Sequence, residues 1–156
     1  MREIKFRGKR LDNGEWLYGN LVELRNPFNP NDAPACFIMP KEVNIAAPDS
    51  IAEQEVVDPD TVGQFTGLLD KNGREIYEGD VLLLPSNGKI DAYERGEELS
   101  QPNRLHFAVV WAKQCQGFGL CSPYEALFNA PDVAGMAAVD RMYIIGNIHD
   151  NPELMQ

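Results

Sequence analysis

Apolar and polar residues alternate along this chain in short runs, and turn residues interrupt each run before a helical period can establish itself. Glu3–Arg7 alternates, with Ile4 and Phe6 on one face of an expected strand. After Asp12-Asn13-Gly14, the stretch Glu15–Leu24 is rich in β-formers: Trp16, Tyr18 and Val22 share one face, Leu17 and Leu21 the other. A second hairpin joins Thr61–Leu69 to Glu75–Glu78 through Lys71-Asn72-Gly73. Glycine accepts the positive φ of such a turn, and Asn tolerates it better than most residues. A three-residue loop sets Asp70 opposite Arg74, a favourable cross-strand charge pair, whereas a two-residue loop sets Lys71 against Arg74. The three-residue register is therefore expected. Glu78-Gly79-Asp80 then turns the chain into Val81–Leu84, a continuous apolar run of strand length. Leu105–Lys113 and Gly117–Cys121 predict a third hairpin with Phe118 and Leu120 on one face, and Met142–Gly146 predicts a further strand.

The remaining segments are less regular. Asn26–Pro34 holds three prolines and reads as a loop, with Phe28 expected to pin it to the body. Cys36–Met39 is a short apolar run ended by Pro40, and Val43–Ala46 is a candidate short strand. Pro85–Asn103 is polar and reads as an exposed insertion. Tyr124–Phe128 and Pro131–Val139 fit strand or helix equally. Asn151-Pro152-Glu153 has the order of a cap, a first-turn proline and a first-turn acid, predicting a short C-terminal helical turn. The balance is mostly β: a small twisted sheet or partly open barrel with one or two short helices. Asp58-Pro59-Asp60 is the best boundary. It separates an N-terminal β subdomain, 1–57 with loop 26–34, from a barrel-like subdomain, 58–156 with insertion 85–103; a single intertwined domain is the alternative.

Charge changes this picture by exclusion. The 156 residues carry a net charge of −10, yet residues 1–10 hold a local +4 and the rest −14. An acidic surface repels nucleic-acid phosphates, so nucleic acid is a disfavoured partner except at the basic N-terminal strand. The plainer reading of that strand is a solvated sheet edge. The cysteines, Cys36, Cys115 and Cys121, are odd in number and form no C-x-x-C. Free thiols in a reducing cytoplasm are expected, with a Cys115–Cys121 bridge left open. No apolar run is long enough to span a membrane, and MREIKFRGKR lacks the apolar core of a signal peptide, so a cytoplasmic protein is expected.

Candidate chemistry is sparse. Glu75, Glu78 and Asp80 could in principle bind a metal or move a proton, but the turn they occupy accounts for them, with Asp80 placed to accept from a nearby backbone amide. His106 and His149 have no partner at zinc-ligand spacing, and no serine sits in a G-x-S-x-G elbow. Gly117-Phe118-Gly119 lacks the ending of a phosphate loop. No catalytic residue, metal or cofactor is expected. The candidate binding residues are aromatic: Trp16, Tyr18, Tyr77, Trp111 and Phe118 could form a stacking platform for single strands, although core packing explains most of them better.

Three blocks resemble the YopX family of small phage, prophage and mobile-element proteins. They are Arg2–Arg7; Thr66-Gly67-Leu68 with Asp70–Gly73 and Glu75–Val81; and Ile145–Ile148 with Asn151–Leu154. The resemblance implies a mostly β fold with a compact barrel-like part, and an origin in a mobile element. It implies no activity and no catalytic residues. A non-enzymatic phage or prophage accessory protein is expected, one that binds a host or phage protein or forms a homo-oligomer. The alternatives are an acidic nucleic-acid mimic that inhibits a DNA-binding protein, and a weak single-stranded nucleic-acid binder.

Overall fold

The third residue of the first strand is a glycine, and the fold of the N-terminal half depends on it. In the computed structural model, which describes residues 3–26, 28–29, 31, 33–39, 56–84, 106–113, 116–122 and 139–156, β1 runs Phe6–Lys9 and β2 runs Trp16–Leu24. They pair antiparallel from Phe6↔Gly19 to Lys9↔Trp16. β3 (Ala35–Met39) pairs with the far half of β2, and the two-residue β4 (Val56–Val57) pairs with β3. An isolated antiparallel bridge, Arg10↔Val57, returns β4 to the end of β1. Two backbone bonds secure it, Leu11 N–H to Val56 O at 3.1 Å and Asp58 N–H to Lys9 O at 2.8 Å. At Gly8 a methyl group would lie 2.8 Å from Val57 Cγ2, so only glycine lets the two segments close to this distance.

β5 (Gly63–Leu69) pairs with β1 and β6 (Glu75–Tyr77) completes a six-stranded sheet ordered β4-β3-β2-β1-β5-β6. A second sheet, ordered β10-β7-β8-β9, contains β7 (Asp80–Leu83), β8 (His106–Ala112), β9 (Gly117–Cys121) and β10 (Tyr143–Asn147). Among the described residues the remaining helical turns are short 3-10 pieces, such as Pro59–Thr61 and Pro152–Met155. The protein is mostly β as expected, and among the described residues its sheets do not close into a barrel.

The chain divides into two compact units, 1–65 and 66–156, with the division inside β5. The first unit has a small core of Cys36, Ile38 and Val57, with Phe6, Leu17, Leu21 and Val62 against it. Leu17 and Leu21 thus share a face, as the alternation of β2 predicts, and it is the face that packs on this core. The second unit has the larger core: Ile76, Leu82, Val109, Phe118, Leu120, Val139, Met142 and Ile144. Each such side chain contributes roughly 1.5–3 kcal/mol on burial, so this cluster is the main source of cohesion in its unit. All four residues of β7 are buried, which explains its unbroken apolar run. A register shift between Ile144 and Gly146 makes a bulge in β10.

Several expectations need correction. β1 starts three residues later than the alternation suggests, and Ile4 is exposed while Phe6 packs on the core. The basic strand is not a solvated edge, because β1 lies between β2 and β5 and Arg7 is only 6% exposed. Phe28 does not pin its loop; it is 95% exposed, with its N–H held by Asn26 Oδ1 at 3.0 Å. Asn151 precedes the C-terminal 3-10 turn but makes no side-chain cap bond, its Oδ1 accepting instead from Asn147 N–H at 3.4 Å. The candidate strand Val43–Ala46, the insertion 85–103, the segments 124–128 and 131–138, and Cys115 lie outside the described residues.

Candidate functional site

The hairpin loop after β5 has the expected three-residue register: Asp70 N–H donates to Arg74 O at 2.8 Å, and Gly73 adopts φ +78°. The reason for that register differs from the charge pairing read in the sequence. The Asp70 carboxylate is buried and accepts from the backbone N–H of Asn72 and Arg74, each at 2.8 Å, and of Ile144 at 3.2 Å. Arg74 Nη1 donates to Ile144 O at 3.3 Å, and Lys71 N–H donates to Met142 O at 2.9 Å. Lys71 also reaches the Tyr143 hydroxyl with its ammonium. The loop therefore grips β10 through backbone groups, and the acid and base that seemed to pair with each other hold a third strand.

The second cluster of acids is used in the same way. Asp80 Oδ2 accepts from Tyr77 N–H at 2.8 Å, as its place in the turn predicts, and Asn147 Nδ2 approaches its other oxygen to 3.5 Å. Glu78 Oε1 accepts from Trp111 N–H at 3.2 Å, and Glu75 Oε2 accepts from the Tyr77 hydroxyl at 2.8 Å. Gly79, at φ +85°, donates to Val109 O and accepts from Ile148 N–H. The turn thus joins β8 to the segment after β10. Asp80 and Glu78 accept from backbone amides, and Glu75 from a side-chain hydroxyl. Among the described residues no three His, Cys, Asp or Glu side chains gather as a metal set.

The five candidate aromatics separate. Tyr77 and Phe118 are buried. Trp111 remains 40% exposed and meets Phe118 edge to face at 5.0 Å between centroids. Trp16 and Tyr18 lie on β2, Tyr18 exposed and Trp16 half-buried. The Arg7 guanidinium stacks 4.6 Å from the Trp16 centroid, Lys9 lies 5.8 Å from the same ring, and Lys5 sits 4.7 Å from Phe65. The cations of the N-terminal strand are therefore engaged with rings of their own unit. These cation–ring contacts were not legible in the sequence, because the β1–β2 register that makes them had to be known first.

Among the other candidates, Cys36 is buried in the first unit and Cys121 is exposed, both as free thiols. Burial pushes the Cys36 thiol above its ordinary value, and Glu23, its cross-strand neighbour, adds to the effect. Such a thiol stays protonated and is a poor nucleophile. His106 is fully buried on β8, and desolvation lowers its pKa despite the Leu154 carbonyl that accepts from the ring. His149 lies in the turn after β10, its N–H donating to Asn147 Oδ1 at 2.9 Å. No helix among the described residues is long and apolar enough to cross a membrane.

Residues 5–156 match the family described as YopX protein. The chain belongs to the YopX family. The match includes the Asp70–Gly73 loop, the Glu78–Asp80 turn and the Asn147–Asn151 segment, which are also the places where backbone bonds tie strands together. The crystal structure of protein EF1440 from Enterococcus faecalis is similar to this YopX protein over 100% of both chains, at a TM-score of 0.55 and 22% identity. At that identity the likeness concerns the fold alone. No curated protein matches the chain.

Proposed function

We propose that this YopX protein is a non-enzymatic protein-interaction module of a phage or prophage, acting in the cytoplasm on a host or phage protein. The observation that carries this reading is where large apolar side chains face solvent. Of the eight such residues among the described ones, five lie in the first unit: Ile4, Leu11, Tyr18, Leu24 and Phe28. Phe28 stands out because the Asn26 side chain holds its backbone while its ring reaches no core. Moving such a ring from water into a partner's apolar pocket is worth roughly 1.5–3 kcal/mol. Asp80 and Glu78 are occupied by backbone amides and Glu75 by the Tyr77 hydroxyl, which supports a non-enzymatic reading.

The single-stranded nucleic-acid reading has less support, since Arg7 and Lys9 already lie over Trp16 and Lys5 over Phe65. Capture from host cells, with and without phage infection, tests the proposal. The wild-type chain should retain a specific protein that Phe28→Asp and Leu24→Asp variants release, while both variants keep the wild-type melting temperature, as exposed sites allow. Recovery of the same protein by wild type and variants alike would remove the assignment to this surface. Recovery of the bait alone, with a dimer mass by sedimentation, would replace the outside partner by a second copy.

A further inference from the structure

The second unit contains a buried histidine whose role the preceding reading leaves unexplained. His106 opens β8 and is 2% exposed, and its Nδ1 has no hydrogen-bond partner. The ring instead serves the Leu154 carbonyl in the C-terminal 3-10 turn Pro152–Met155. The same turn packs closely on β10. A methyl group at Gly146 would lie 2.7 Å from Leu154 Cδ1 and 2.6 Å from Asn151 Oδ1. Asn151 Oδ1 accepts from Asn147 N–H at 3.4 Å, and Leu154 N–H donates to Asn151 O at 3.0 Å. The turn is thus a small cover seated on β10 and β8, with an imidazole beneath it.

We propose that His106 and this turn form a proton-released latch. With the ring neutral, one nitrogen donates to Leu154 and bare Nδ1 is buried without a partner. A second proton must go to Nδ1, where it would leave a buried cation without an acceptor. Among the described residues the flanking elements offer none. β7 presents Leu83 directly opposite His106, and Leu83 in turn faces Tyr143 on β10, whose hydroxyl receives the Lys71 ammonium. The other ionisable groups on these elements are Asp80, at the far end of β7 and bonded to Tyr77 N–H; Cys121, exposed on β9; and Glu153, exposed on the turn. None of them reaches Nδ1. The charged ring is accommodated once the turn lifts and water reaches it. Opening the turn breaks the Leu154 and Asn151 bonds and leaves the eight-residue core cluster in place.

The test follows amide hydrogen-exchange protection of residues 151–156 across about pH 8 to pH 5, the range in which imidazole changes charge. A one-proton latch lowers protection by up to about tenfold per pH unit as the pH falls from the ordinary imidazole value near 6.5 toward the ring's lower folded pKa, and levels off beneath it, while amides of the β5–β6 hairpin hold theirs. His106→Gln, which can still donate to Leu154 but cannot take a proton, should abolish the pH dependence. His149→Gln, in the preceding turn, should leave it intact. Loss of the effect in His149→Gln, or its persistence in His106→Gln, overturns the proposal. Should His106→Gln not fold, NMR titration of the wild-type ring decides: the ring and the turn should change together, and a ring that titrates beneath an unchanged turn refutes the latch.

Discussion

At the scale of single residues, backbone geometry explains more of this protein than side-chain chemistry does. Gly8 is a case of close approach. Its missing methyl leaves room for Val57 at the point where Arg10 and Val57 bridge. Gly8→Ala should cost about 1–3 kcal/mol in denaturant unfolding by overpacking, and Val57→Ala in the same chain should recover part of that loss. Asp70 is a case of a buried acceptor. Removing it strands the N–H groups of Asn72, Arg74 and Ile144. Asp70→Ala should therefore destabilise by about 2–4 kcal/mol, more than an exposed charge pair could account for, and Arg74→Ala should cost clearly less. His106 sets the pH dependence. Its folded pKa lies below the ordinary 6.5, so the unfolded chain binds the proton more readily. Its contribution is complete above about pH 6.5 and is lost as the pH falls toward the folded pKa, at up to about 1.4 kcal/mol per pH unit. Thermal melts of wild type and His106→Gln from about pH 8 to pH 5 should converge on the acid side.

At the scale of elements, turn chemistry was readable and strand context was not. Lys71-Asn72-Gly73 gave the loop length correctly because left-handed backbone selects glycine whatever surrounds it. The Asp70–Arg74 register followed from a charge pair, yet the carboxylate points inward to β10, a strand some seventy residues further along the chain. No local pattern could announce that. β1 shows the same limit. Lys and Arg at alternate positions suggest a wet edge, but pairing with β2 and β5 on both sides makes β1 interior, and the Trp16 ring of β2 lies beneath its Arg7 and Lys9. Phe28 fails in the opposite direction, since hydrophobicity alone cannot say that a loop residue has no core within reach. Of the candidate site, the bond from Tyr77 N–H to Asp80 was legible from turn signals. The separation of the five aromatics into buried and exposed sets required the fold. Deleting the loop's grip on the Ile144 amide by Asp70→Ala should raise exchange of that amide selectively, before that of β8.

At the scale of the whole molecule, the larger core belongs to 66–156, and most of the exposed large apolar residues belong to 1–65. Under the proposed interaction, this distribution separates where damage should be felt. Substitutions among the eight core residues, such as Leu82→Ala or Val109→Ala, should lower the melting temperature with partner capture intact at low temperature, whereas Phe28→Asp should do the reverse. The net charge of −10 favours solubility of a chain that presents so many apolar groups.

The two indoles are distributed one to each unit. Trp16 lies on β2 beneath a guanidinium, and Trp111 lies on β8 against the edge of Phe118. The protein therefore carries a separate built-in fluorophore for each half. In Trp111→Phe the emission reports β2 alone, and in Trp16→Phe it reports β8 alone. Whichever indole shifts when the captured protein is added will name the half that has been touched, with no label attached.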